Sequence, residues 1–257
     1  MNVLVFDIET VPDVASGRRV HGLEGLSDDD VAKVMFHKRR EETGSDFLRL
    51  HLQRIVAISA VLRTRDLVRV WSLGDPESDE AELLQRFFDG IDKFTPTLVS
   101  WNGGGFDLPV IHYRALLHGV AATRYWDTGE EDRDFKWNNY LSRYHARHTD
   151  LMDVLAGYQA RANAPLDEIA TMLGFPGKMG MSGALVWDEY QAGNIEGIRN
   201  YCETDVLNTY LVYLRFELIR GRLSHKEYEQ ELGRLRDTLR SENKPHLEEF
   251  LTAWADD

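Results

Sequence analysis

The residues of this chain best placed to do chemistry stand near its amino end, where Asp7 and Glu9 follow the apolar run Val3-Leu-Val-Phe6. That run, with two β-branched valines and an aromatic, reads as a strand buried on both faces, the kind found at the centre of an α/β sheet. Side chains two apart on a strand point to the same face, so the two carboxylates sit side by side at its carboxyl end, where open α/β sheets place their ligands. Two such charges repel by about 4 kcal/mol at about 4 Å when the effective dielectric is about 20. A protonated carboxyl, a basic partner or a divalent cation with hard oxygen ligands, Mg²⁺ or Mn²⁺, would offset that repulsion. The alternative is that both acids merely close the strand and face solvent.

Two later stretches carry acids in suggestive settings. Thr97 to Trp101 is a short apolar strand that runs into Asn102-Gly-Gly-Gly-Phe106-Asp107, and Leu108-Pro109 starts a helix reaching about His118. Asp107 reads there as a helix N-cap. No Gly-Lys-Ser/Thr follows the glycines, so they do not make a P-loop, although they permit close approach of backbone to a ligand. Tyr201-Cys-Glu-Thr-Asp205 lies in a helix from about Gly193-Asn194 to about Gly221. Residues four apart share a helix face, so Tyr201 and Asp205 can reach one site, or the tyrosine can pack in the core with the aspartate at its wet margin. His145 and His148 have a metal-ligand spacing but no third and fourth ligand nearby. Lys178, in a loop from Phe175 to Gly183, either touches a phosphate or faces solvent.

Several elements must position these groups. Residues 11 to 53 are polar and read as an insertion after the first strand, with Ser27 capping a helix that reaches about Glu42. Arg54 to Leu62 and Leu67 to Leu73 read as an antiparallel hairpin, and Ser78 to Phe94 has the apolar period of a helix that buries one face. Thr149 to Leu151 reads as a short strand, followed by short helices over Asp153 to Ala160 and Pro165 to Leu173. After Gly221, Ser224-His-Lys-Glu227 fits a capping box, and Pro245 to Trp254 forms a last helix. The tail from 221 to 257 has few evident core positions and reads as a helical extension packed on the outside.

Composition narrows the function classes. The 257 residues are 43% apolar and 11% aromatic, ample for a folded core in one or two domains. No apolar run approaches the length of a membrane span, and no signal-peptide pattern opens the chain, so a cytoplasmic protein without a membrane partner is expected. A single cysteine, Cys202, leaves neither a disulfide framework nor a thiolate zinc site. The net charge of -13 argues against holding long duplex by phosphate neutralisation, yet is compatible with an enzyme that works on a nucleic-acid end. Lys33, His37, Lys38, Arg39, Arg40, Arg49 and Arg54 fall within about two dozen positions and read best as a solvated helix face.

Taken together, Asp-x-Glu closing a first strand, Asn-x-x-x-Phe-Asp joining a strand to a helix, and Tyr-x-x-x-Asp on a late helix resemble the DEDD superfamily of 3′-5′ exonucleases. The similarity is to the tyrosine branch, and within it to the exonuclease domain of family B DNA polymerases and stand-alone bacterial relatives. It spans about residues 1 to 220. The histidine branch would carry His five residues before the last Asp, and that position is Asn200. The long insertion and the lack of a polymerase region depart from the family.

The resemblance implies a ribonuclease H-like α/β fold: a five-stranded mixed sheet, three leading antiparallel strands, and helices on both faces, with a C-terminal helical extension from 221. It implies two divalent cations, Mg²⁺ or Mn²⁺, which in such sites activate a water and stabilise the leaving oxygen. Asp7 then bridges both metals, Glu9 and Asp205 serve the one nearer the attacking water, and Asp107 serves the other. Tyr201 orients the water, and Thr10, Asn102 and Phe106 meet the terminal nucleotides. The expected activity is 3′-5′ hydrolysis of single-stranded nucleic acid, with DNA favoured. A silent nucleic-acid-binding or scaffold protein on the same fold is the competing reading, and a small-molecule phosphohydrolase is a third.

Overall fold

The run from Val3 opens β1 (Val3–Pro12), the centre of a five-stranded sheet in a computed structural model that describes residues 2–255. The strand continues through Asp7 and Glu9 to Pro12, so the acids lie along it and not at its end. The cause is β2 (Gln53–Arg63), which pairs antiparallel with β1 along its whole length, Val3 opposite Arg63 and Pro12 opposite Gln53. Backbone pairing of that extent holds polar residues extended that local preference would release. The ladder shifts register between Glu9 and Thr10.

Because Pro12 and Gln53 still pair, the insertion is slightly shorter than residues 11 to 53. It carries α1 (Val14–His21), which its polarity concealed, and α2 (Asp28–Thr43). Asp13 caps the first by accepting from Ser16 N, and Ser27 caps the second by accepting from Asp30 N, with three aspartates in the first turn favouring the helix dipole. The basic cluster is occupied by local acids: Lys33 pairs with Asp29, Arg39 and Arg49 with Glu42, and Arg40 with Asp46. These residues form the solvated face expected, whereas Arg54 lies on β2 and donates to Tyr190 Oη at 3.3 Å.

β3 (Val68–Ser72) completes the antiparallel hairpin with β2. Next come α3 (Glu80–Phe94), β4 (Thr97–Ser100) and α4 (Asp107–His118). After them lie α5 (Thr123–Trp126), β5 (His148–Asp150), α6 (Leu151–Leu155), α7 (Leu166–Met172) and α8 (Val186–Gln191). β4 and β5 add in parallel, and the strand order is β3-β2-β1-β4-β5, the mixed sheet with three leading antiparallel strands. The parallel pairing of β1 with β4 covers only Val3 to Val5, so the second half of β1 overhangs the sheet on that side.

Alternation along β1 sorts its neighbours. Val3 and Val5 face α9 (Ile195–Ile219) in one core with Leu207, Tyr210 and Leu211. Leu4, Phe6 and Ile8 face α3 and α4 in another, with Leu84, Phe87 and Ile111. Helices thus cover both faces.

The last helices are α10 (His225–Glu242), opened by the capping box of Ser224 and Glu227, and α11 (Pro245–Ala255). They contribute more than an outer layer. Leu232, Leu235 and Leu239 recur at helical spacing, and they join Leu247, Phe250 and Trp254 in the core shared with α9. Among the described residues, no helix is long and apolar enough to cross a membrane.

Candidate active site

Positions 3, 5, 7 and 9 share one face of β1, so Asp7 and Glu9 point towards α9, past the end of β4. Glu9 is buried and Asp7 half-buried. Cys202 of α9 comes up against them, its Sγ 3.6 Å from Asp7 Oδ2 and 3.5 Å from the Asp7 carbonyl oxygen. One ligand atom from each of Asp7, Glu9 and Cys202 lies within 4.8 Å of the other two. Burial, with Asp7 and Glu9 beside it, pushes the Cys202 thiol well up, so it keeps its proton and donates to Asp7.

Asp107 does not cap α4. The capping position is Phe106, which makes no side-chain cap bond, and Asp107 is the first helical residue. Its Oδ1 accepts from Ile8 N at 3.2 Å. That amide lies on the overhanging half of β1, where no β4 residue pairs with it. An unpaired strand amide thereby finds its acceptor in the carboxylate that begins α4, and the two motifs are bonded across 99 residues.

Tyr201 and Asp205 lie one turn apart on α9, and their side chains are close enough to interact. Burial, together with Asp205, Glu9 and Asp7, pushes the Tyr201 hydroxyl far above its ordinary range. It stays neutral and can only offer or accept a hydrogen bond. Tyr201 and Asp205 also line a cleft of about 190 Å³ with Lys178, Asp167 and Asn208. The positive charge of Lys178 opposes the upward shifts of both Glu9 and Asp205.

The four acids therefore share one field. Burial, then Asp107, Glu9 and Asp205, push Asp7 well above the carboxylate range, and burial with Asp205 and Asp107 does the same to Glu9. Asp107 is pushed up to about 7 and Asp205 to about 6, in both cases chiefly by burial. Lys178 offsets only part of the repulsion among these carboxylates, and hard divalent cations fit such an oxygen donor set. Asp7, Glu9, Asp107 and Asp205 are the groups available to hold them.

The remaining candidates divide. Thr10 and Phe106 line a groove of about 670 Å³ that reaches Glu9. Thr10 Oγ1 also donates to Gln53 Oε1 at 3.0 Å. Asn102 instead shapes its loop: its φ is +63°, and its carbonyl oxygen accepts from Gly105 N and Phe106 N. The glycines are crowded by the chain's own side chains, Gly103 by Ser100 and Gly104 by Asp150. Asp150 accepts from Asn102 N at 2.9 Å and Gly104 N at 2.8 Å, so a carboxylate already occupies the anion-binding amides that the glycines suggested. The two histidines hold no metal: His148 Nε2 bonds Ser100 Oγ at 2.8 Å, and His145 Nδ1 accepts from Asn139 N.

Cys202 was not foreseen as part of the site, and for Lys178 the sequence left phosphate contact and solvent exposure both open. Cys202 is three residues before Asp205, a spacing that shares a helix face and could have identified it. Lys178 approaches through a loop whose path only the fold decides.

Comparison with known proteins identifies the family. Residues 45–254 match the model of a family described as predicted 3′-5′ exonucleases related to the exonuclease domain of PolB. That span includes Asp107, Tyr201 and Asp205, while Asp7 and Glu9 precede it. Over 45 residues the chain is 51% identical to the catalytic subunit of DNA polymerase epsilon from Saccharomyces cerevisiae and 49% identical to that from Kluyveromyces lactis. Each alignment covers 17% of this chain and 2% of the polymerase chain, so it reaches a small piece of those proteins. With four fifths of its length matched by the family model, this chain belongs to the predicted 3′-5′ exonucleases related to the exonuclease domain of PolB.

Proposed function

We propose that the chain is a metal-dependent exonuclease that hydrolyses phosphodiester bonds from the 3′ end of single-stranded nucleic acid, DNA in preference to RNA. The observation that carries this reading is the convergence of carboxylates from three separate elements: Asp7 and Glu9 on one face of β1, Asp107 bonded to the Ile8 amide between them, and Asp205 on α9, with the Lys178 charge as a partial offset. These four carboxylates would hold two divalent cations, Mg²⁺ or Mn²⁺. When bound, two such ions supply the positive charge that activates water on one side of a phosphodiester and stabilises the leaving oxygen on the other.

The chain's own groups do the rest. Asp7, on the central strand with the Cys202 thiol against it, would be one of the metal ligands beside Glu9. Asp107 is held in register with β1 by the Ile8 amide. Tyr201, neutral and beside Asp205, orients the attacking water by a hydrogen bond and does not act as a base. Thr10 and Phe106 sit where a terminal nucleotide would enter beside Glu9, and Asn102 supports them by shaping the loop before Phe106.

Cleavage of end-labelled strands tests the reading. In Mn²⁺, a 5′-labelled single strand should give a descending ladder and a 3′-labelled one should release mononucleotide at once. Asp7→Ala should abolish both while the circular dichroism spectrum persists. Cutting of a circular single strand, or near-normal cleavage by Asp7→Ala, would overturn it. A silent scaffold on the same fold predicts no cleavage at all, and an isothermal titration showing no Mn²⁺ binding would favour it.

A further inference from the structure

The groove beside Glu9 is walled on one side by the insertion, to which the three acidic motifs assign nothing. Phe36 of α2 and Phe47 of the following loop line it, together with Phe106 and Trp187 of α8. Phe47 leaves 56% of its surface exposed, and its ring centroid lies 5.4 Å from that of Phe106 at a tilt of 51°. Phe36, Phe106 and Trp187 are partly buried against the core, but Phe47 gives up burial that a core would provide, which marks this stretch of the groove as a binding surface.

Its chemistry selects the occupant. The basic group on this wall, Arg40, is held bidentately by Asp46 at 2.7 and 2.6 Å, so the wall presents little free positive charge to a phosphate. Ring faces remain, and these stack on any nucleobase regardless of sequence. The groove is also continuous with the carboxylate cluster through Glu9.

We infer that the 13–52 segment is the outer wall of a single-strand channel, in which Phe47, together with Phe106, grips the bases of the last unpaired nucleotides. This rests on the nuclease reading above and adds to it that the insertion recognises bases, so that the 3′-terminal nucleotides must be unpaired before they can be held. Phe47 is then a specificity-determining residue, supplied by a part of the chain outside the acidic motifs.

Fluorescence anisotropy with the full chain in EDTA tests the inference, using a 5′-labelled single-stranded oligonucleotide and the same oligonucleotide with its last two nucleotides abasic. Phe47→Ala should weaken binding of the intact strand by about ten- to hundredfold, the loss expected for one stacked base. It should bind the abasic strand as wild type does, and Phe47→Trp should restore binding of the intact strand. Equal affinities of wild type and Phe47→Ala for the intact strand, or equal losses on both strands, overturn the inference. If wild type cleaves in Mn²⁺ while Phe47→Ala binds normally, the channel alone is wrong. If wild type neither binds nor cleaves any strand, the nuclease reading falls with it.

Discussion

At the scale of single residues, Tyr201 separates positioning from packing. Tyr201→Phe keeps volume and the proposed metal ligands and removes only the hydroxyl, which lies beside Asp205 and is proposed to bond the attacking water. General-base catalysis is typically worth about 10² to 10⁴ in rate, and bound metal already favours ionised water, so kcat should fall roughly ten- to a few hundredfold with KM little changed. Equal single-turnover rates at saturating Mn²⁺ would remove Tyr201 from the mechanism. Asp107 and Asp205 support a second prediction, about protons. Their folded-state values, about 7 and about 6, lie above the unfolded carboxylate value of about 3.9, so the metal-free folded state retains protons that the unfolded chain has released. The stability these groups contribute is full below about pH 4 and is lost as pH rises through about 6 and 7. The melting temperature of the EDTA-treated protein should accordingly drop between about pH 5 and pH 8. Asp107→Asn should flatten that drop, and an unchanged slope in the variant would refute the burial of this charge.

At the scale of elements, the acids depend on contacts that hold β1, the glycine loop and α9 in mutual register. A methyl at Gly103 would collide with Ser100, which cannot turn aside because it is fully buried and bonded to His148. Gly103→Ala should cost about 1–3 kcal/mol through overpacking, and differential scanning calorimetry should show a clear loss of melting temperature. Two residues after Tyr201, Glu203 points away from the site and ties α9 to its surroundings. It accepts from Ser72 N at 2.9 Å and from His246 Nε2 at 2.8 Å, with Lys244 Nζ at 3.3 Å. Burial alone would raise its carboxyl, but the His246 hydrogen bond and the Lys244 charge hold it down to about 2. Glu203→Gln should therefore destabilise the fold by about 1–3 kcal/mol in urea titration, because the Ser72 amide and the cations lose a charged acceptor. At the root of the insertion, Arg114 of α4 binds Glu80 at 2.7 and 2.5 Å and also bonds Asp13, with all three buried. This staple joins the start of the groove wall to the helix that begins with Asp107.

At the scale of the molecule, the C-terminal helices and the nuclease body behave as one cooperative unit. Leu232, Leu235, Leu239, Leu247, Phe250 and Trp254 are buried against α9, and Arg63 of β2 pairs bidentately with Glu231 of α10 at 2.6 Å. Six such side chains are worth about 9–18 kcal/mol of burial, which rivals the whole net stability of a domain, about 5–15 kcal/mol. Truncation after Arg222 should thus yield an insoluble or unfolded chain, and a soluble truncated protein with native circular dichroism would show that 1–220 folds alone. The assembled site should also respond to ions as a whole. Mn²⁺ should raise the wild-type melting temperature, because cations that bind the folded state alone stabilise it, and should leave that of Asp7→Ala unmoved.

What the sequence by itself determined is whatever rests on local period and spacing. The alternation after Val3 put Asp7 and Glu9 on one face, the four-residue step put Tyr201 with Asp205, and the hairpin, the capping box and the crossover helix followed from neighbours in the chain. What depended on distant partners was settled by tertiary structure. Pairing with β2 drew β1 out to Pro12, the early end of β4 freed the Ile8 amide, and that amide made Asp107 a partner of β1 and not a helix cap. Asp150, 46 residues from Gly104, turned the glycine loop inward. Helical periodicity marks which positions of α10 and α11 are apolar, but only the face of α9 they cover makes them core. Hydrogen bonds and burial between residues far apart in sequence leave no periodic trace in either segment, and for that reason the site's carboxylates were visible in the sequence while the groove beside them was not.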